Sequence, residues 1–154
     1  ATQRFQGFTG ALQAAGLSPH PGAIERVALD RRSGYAAMQR LLALPTPPTA
    51  VLVDNHLAGV GATHAALQSG RVLGQDLSVI VYDGLGPDSV IRSPITSIDQ
   101  PTAAQVGALL AELVLARLKG VAPELLQRLR MPALVAGESD GPPRVARPAS
   151  LNVV

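Results

Sequence analysis

Two short apolar runs, Ala50-Val51-Leu52-Val53 and Leu77-Ser78-Val79-Ile80-Val81, constrain this chain more than any other feature. Each is nearly continuous instead of alternating with polar residues, which is the pattern of strands covered on both faces. Between them, the stretch from about His56 to Ser69 reads as a helix, with Gly70 placed to end it. Strand, helix, strand in that order predicts a parallel crossover unit. The fold class that follows is α/β: a parallel sheet flanked by helices.

The same alternation runs through the rest of the sequence. Phe5, Phe8, Leu12 and Ala15 recur at helical spacing, and Gly16 stops that first helix. A short strand is expected from Ile24 to Leu29. Ser33 is a good N-cap for a helix through Leu44, with Met38, Leu41 and Leu42 on one face, ended by Pro45, Pro47 and Pro48. After a Gly/Pro/Asp-rich loop from Asp83 to Pro94, Ile95 to Ile98 reads as a strand or an extended crossing segment. Thr102 to Lys119 is the longest helix, carrying Val106, Leu109, Leu110, Leu113 and Leu118, and Gly120 closes it. Met131 to Val135 is the last strand candidate, and the chain from Ser139 onward is expected to be irregular. The first element is a helix with no strand before it, so the sequence reads as starting inside a fold.

Composition removes several functions. The absence of Cys excludes disulfide scaffolds, zinc ribbons and thiol catalysis. The 13 basic residues exceed the 11 acidic ones by two, which is too little to mark a nucleic-acid surface by itself. Aromatic residues at 3% leave few platforms for stacking on bases. The apolar stretch Leu109 to Leu118 is broken by Glu112 and Arg117, short of a membrane span. His20, His56 and His64 do not have metal-ligand spacing, so no metal site is expected. Gly59-Val60-Gly61 fails the dinucleotide fingerprint because His64 stands at its third glycine, and Gly84-Leu85-Gly86 fails because Ser89 does. Nothing resembles a P-loop, a nucleophile elbow or an acid–base pair, so neither catalysis nor a cofactor is expected.

A parallel sheet places ligands beyond the C-terminal ends of its strands. Two loops there are polar, Asp54-Asn55-His56 and Tyr82-Asp83-Gly84. Amide and carboxylate groups suit the hydroxyls of a sugar-like ligand. The same residues also have structural readings: Asn55 as a helix cap, Asp83-Gly84 as a turn, and Arg4 as a solvated residue on a first helical turn.

Five segments, in order, resemble the lactose-repressor/galactose-repressor (LacI/GalR) family of bacterial regulators. They are Arg4-Phe5-Gln6-Gly7-Phe8, the block from Pro48 through Asp54-Asn55-His56 to Gly61-Ala62, Asp76 to Asp83, Pro94 to Pro101, and Leu134 to Ser139 followed by Pro142-Pro143. The resemblance implies a periplasmic-binding-protein-like type I effector domain, incomplete and mostly the C-terminal lobe. Residues 1–138 would be the partial effector domain, with 102–129 belonging to the other lobe, and 139–154 an irregular tail. It also implies that Arg4, Asn55 and Asp83 contact the effector and that Leu29 lies where several members place an aromatic ring. His56 stands where the family usually has Asp, and Val81 where it usually has Gly. Leu29 cannot offer a pyranose an aromatic face.

The function implied is the effector-sensing part of a cytoplasmic, homodimeric repressor-type regulator. It would bind a small sugar-like metabolite between two lobes and act on operator DNA through an N-terminal head absent from this chain. A periplasmic sugar receptor serving a transporter is the alternative. With its own lobe missing, the leucine face of the 102–119 helix would be exposed and should drive self-association, as a dimer or higher oligomer.

Overall fold

The computed structural model describes residues 2–19, 22–86, 89, 91 and 93–142. His20, Pro143 and the remainder of the Pro/Gly/Arg-rich tail lie outside them. The elements are α1 (Thr2–Ala14), α2 (Arg31–Leu42), β1 (Ala50–Val53), α3 (His56–Gln68), β2 (Ser78–Tyr82), β3 (Thr96–Asp99), α4 (Ala103–Leu118) and β4 (Ala133–Val135), with a short 3-10 turn at Pro123–Leu126. The sheet runs β1-β2-β3-β4. β1, β2 and β3 are parallel, as the crossover pattern requires.

The sequence expectation of an all-parallel sheet needs one correction. β4 pairs antiparallel with β3, with Ile98 opposite Leu134. The chain leaves the sheet at Asp99, makes α4 outside it, and returns alongside the strand it left. That route reverses its direction.

The core lies between one sheet face and the α2–α3 pair. Met38, Ala62, Ala65, Ala66, Leu77, Val79 and Val81 are buried together there, with Tyr35, Val51, Val53 and Ile95 packed around them. Each fully buried valine contributes about 1.5–3 kcal/mol relative to exposure. The helices sit unusually close because glycines face backbone. A Cβ on Gly61 would lie 1.8 Å from the Arg31 carbonyl oxygen, and one on Gly34 2.2 Å from that of Ala58. Gly59 likewise admits Val81, whose Cγ1 would be 2.3 Å from an added Cβ. Gly59 and Gly61, one of the two pairs that fail the dinucleotide fingerprint, are therefore packing residues.

The apolar runs are strands, but they are not covered on both faces. Along β2, Val79 and Val81 are buried while Ser78, Ile80 and Tyr82 are partly open. On the same open face Leu52 is 42% exposed and Leu134 69%. Helices cover one face only, which is why the burial alternates although the sequence does not.

Three local expectations also shift. The segment from Ile24 to Leu29 is not a strand and has no regular secondary structure. It is held instead by Arg40, which donates Nε and Nη2 to the two Glu25 carboxylate oxygens at 2.9 and 2.7 Å. That contact lowers the Glu25 pKa. The cap of α2 is Asp30, not Ser33: the Ser33 backbone N–H and hydroxyl both donate to the Asp30 carboxylate. The helix ends at Leu42, two residues before the expected Leu44. By contrast Thr102 and Gln105 form a reciprocal capping box that starts α4, and Gly120 closes it at φ +91°.

The described end of the chain has no regular secondary structure, yet it is pinned. Ser139 is buried; its hydroxyl donates to the Val79 carbonyl at 2.5 Å and accepts the Thr96 N–H at 2.9 Å. Its carbonyl in turn accepts from the Val79 N–H at 2.8 Å. The Thr96 hydroxyl donates to the Asp140 carboxylate. α4 is the opposite case. Among the described elements it contacts only the 3-10 turn that follows it, and it buries none of its residues.

Candidate functional site

Because β1, β2 and β3 are parallel, the residues following them gather at one edge. Asp54 and Asn55 leave β1, Asp83 leaves β2 and Gln100 leaves β3. This is the edge at which a ligand is expected in such a sheet.

Arg4, from the first turn of α1, reaches across to the same edge. Its Nη1 donates to the Asp54 carbonyl oxygen at 2.8 Å and to Asp54 Oδ1 at 2.7 Å. The guanidinium carbon lies 3.6 Å from the centroid of the Tyr82 ring, a cation–π stack. The hydrogen bond to Asp54 raises the Arg4 pKa above its ordinary value, partial burial opposes this, and the charges of Asp54, Tyr82 and Asp83 add to it. Both side chains of the Arg4–Asp54 pair stay more than a third exposed, so the contact orients Arg4 more than it stabilises the fold.

Asn55 is the N-cap of α3. Its Oδ1 accepts from the Leu57 and Ala58 N–H groups at 2.9 and 3.3 Å. Asp83 occupies the left-handed region at φ +66°, and Gly84 follows at +62°. Aspartate tolerates this conformation better than most residues. Gln100 Nε2 donates to Asp83 Oδ1 at 3.1 Å. Both structural readings of these residues are therefore met, and both side chains stand at the predicted edge.

The structure thus brings Arg4, Asn55 and Asp83 to one edge of the sheet. Leu29 stands apart. It is 56% exposed, just ahead of the Asp30 cap, and no described contact joins it to the other three. Tyr82, Asp54 and Gln100 belong to the constellation but were not singled out by sequence as contact residues. The polar triplets contained the first two, while Gln100 stood only in the crossover motif.

Two concavities flank this framework. One, of about 380 Å³, is lined by Asp83, Gly84, Ile91, Ile95, Ser97 and Asp99, and so shares Asp83 with the site. The other, of about 400 Å³, lies over α2 and α3 between Arg31, Tyr35, Val60, Gly61, His64 and Gln68. There the Tyr35 hydroxyl donates to Gln68 Oε1 at 2.5 Å, and the Tyr35 and His64 rings meet edge-on at 5.8 Å. It contains none of the predicted contact residues. Among the described residues no group of three His, Asp or Glu side chains could hold a metal ion, and no helix is long and apolar enough to cross a membrane.

Chemically, the edge offers guanidinium donors beside carboxylate acceptors. A hydroxyl can accept from the first and donate to the second at once.

Comparison with known proteins agrees with this architecture. Residues 1–139 match the periplasmic binding protein-like domain. The chain is 37% identical over 137 residues to the HTH-type transcriptional regulator RafR of Escherichia coli, covering 88% of this chain and 40% of that protein. A crystal structure of a candidate transcriptional regulator from Yersinia pestis biovar Microtus matches with TM-score 0.87 and 38% identity, over 93% of this chain and 51% of that one. The transcriptional regulator CelR in complex with cellobiose matches with TM-score 0.70 and 30% identity, over 90% of this chain and 42% of that one. LacI-family regulators are among the other solved structures it matches. The chain spans about two fifths of the length of the curated relative and about half of the solved chain from Yersinia pestis.

Proposed function

The chain belongs to the periplasmic-binding-protein-like domain family, as part of the effector domain of LacI/GalR-type transcriptional regulators, and from that premise we propose that it is the effector-sensing portion of such a regulator. The observation that carries the reading is the convergence of Arg4, Asn55 and Asp83 on one edge of a parallel sheet, with Arg4 already oriented by Asp54 and Tyr82. The ligand class is a small polyhydroxyl metabolite, supported by the donor–acceptor character of the edge and by the cellobiose complex of one relative.

In this reading, residues 1–101 supply most of the C-terminal lobe and the 102–129 excursion belongs to the other lobe. The uncovered face of α4 is what such an assignment requires: its leucines would be buried by the rest of their own lobe. Effector bound between the lobes favours one lobe arrangement, and the homodimer converts that preference into a change in operator binding through an N-terminal head. The requirement is differential affinity for the two arrangements, not binding alone. The protein acts in the cytoplasm, without a cofactor and without catalysis.

The test is Asp83→Ala in the full-length regulator. Operator binding should persist while its response to effector is lost, read by operator-binding titration with and without ligand. A response equal to wild type would remove Asp83 from the site. A periplasmic receptor would instead show ligand binding with no operator affinity in the full-length protein.

A further inference from the structure

We infer that Asp54 sets the charge class of the ligand, so that the site selects uncharged polyhydroxyl compounds over phosphorylated or carboxylated ones. The inference rests on the reading that this edge binds a polyhydroxyl effector. An arginine at a binding site is ordinarily the residue that would attract an anion, because its planar fork matches a carboxylate or phosphate. Here one arm of that fork is already engaged and its charge is already faced by a carboxylate. Nη1 donates to Asp54 Oδ1 at 2.7 Å and to the Asp54 carbonyl at 2.8 Å. The Tyr82 ring centroid lies 3.6 Å from the guanidinium carbon, so turning Arg4 toward a new partner would give up that stack.

The surroundings reinforce the effect. Asp83 is close enough for its charge to act on Arg4. One cation therefore faces two carboxylates at this edge. Asp99, at the end of β3, lines the adjoining concavity together with Asp83. An anion arriving at Arg4 would displace Asp54 or sit beside its carboxylate. A hydroxyl meets no such conflict. It accepts from the remaining guanidinium N–H groups and donates to Asp54 or Asp83, leaving the ion pair intact.

Asp54→Asn tests this, since it keeps the side-chain shape and an acceptor oxygen for Arg4 while removing the charge. The full-length regulator and its variant are titrated calorimetrically with a panel of neutral aldoses, alditols and disaccharides, and with glucose 6-phosphate and glucuronate as anionic counterparts. Circular dichroism confirms that the variant is folded, and Asp54→Ser serves as a second uncharged variant. The wild type should bind its best neutral ligand at least about tenfold more tightly than the matched anion, and that ratio should collapse in both variants. Equal binding of neutral and anionic sugars by the wild type, or an unchanged ratio in the variants, overturns the role of Asp54 and leaves the polyhydroxyl reading standing. Failure of the wild type to bind any member of the panel overturns that reading, and this inference with it.

Discussion

Asn55 has one side chain and two duties. Its Oδ1 is committed to the Leu57 and Ala58 N–H groups at the start of α3, so a ligand contact must use Nδ2. The duties can be separated by substitution. Asn55→Ala should destabilise the domain by about 1 kcal/mol and weaken effector binding. Asn55→Asp keeps a capping oxygen and favours the helix N-terminus, so it should unfold near the wild-type temperature while losing effector affinity. Thermal unfolding and ligand titration read the two effects separately, and an Asp variant that binds like wild type would limit Asn55 to capping. Much at this scale was legible. The Asn55 cap and the Asp83-Gly84 turn follow from residues adjacent in sequence. The stack of Arg4 on Tyr82 and the bond from Gln100 to Asp83 do not, because each joins residues far apart in the chain. Even locally, Asp30 and Ser33 are both competent caps three residues apart, and only backbone geometry decides between them.

At the scale of elements, the α2–α3 pair shows how close packing substitutes for large side chains. Most of α3's buried residues are Ala or Gly, and the interface works because backbone meets backbone at Gly34 and Gly61. Gly61→Ala must push α2 away, since its methyl would land 1.8 Å from a carbonyl oxygen that cannot move independently. The expected cost is about 2–3 kcal/mol in denaturant unfolding, against a gain of about 0.5–1 kcal/mol for Gly10→Ala inside α1, where nothing lies within 4 Å of the added Cβ. A Gly61→Ala variant as stable as wild type would show that the helices can separate freely. The helices were readable from periodicity and their ends from Gly and Pro. Strand direction was not: Leu134 and Val135 carry the same apolar signature whichever way they run, and the antiparallel pairing with Ile98 depends on the path of the intervening excursion. The Ile24–Leu29 segment is short and apolar enough to read as a strand, but a strand also needs a neighbour, which local sequence does not encode.

For the molecule as a whole, what is left uncovered matters as much as the core. α4 exposes Leu110, Val114, Leu115 and Leu118 at 56–78%, and the sheet face bearing Leu52 and Leu134 is open as well. Surfaces of this kind drive association in water. The isolated chain should therefore be a dimer or larger by light scattering at micromolar concentration, and Leu110→Gln combined with Leu118→Gln should shift it toward monomer. A monomeric wild-type chain would show that α4 repacks against its own sheet.

The lacing of Ser139 between Val79 and Thr96 bears on the order of assembly. β1, β2 and β3 leave the ribosome well before the residues that saturate the Val79 carbonyl and the Thr96 N–H. Until Ser139 emerges, three backbone groups at the starts of β2 and β3, the Val79 C=O and N–H and the Thr96 N–H, lack these partners and must be hydrated. Vectorial synthesis should therefore leave the nascent sheet without these bonds until the chain beyond α4 has been made. Its final closure is timed by translation of the last stretch of the domain.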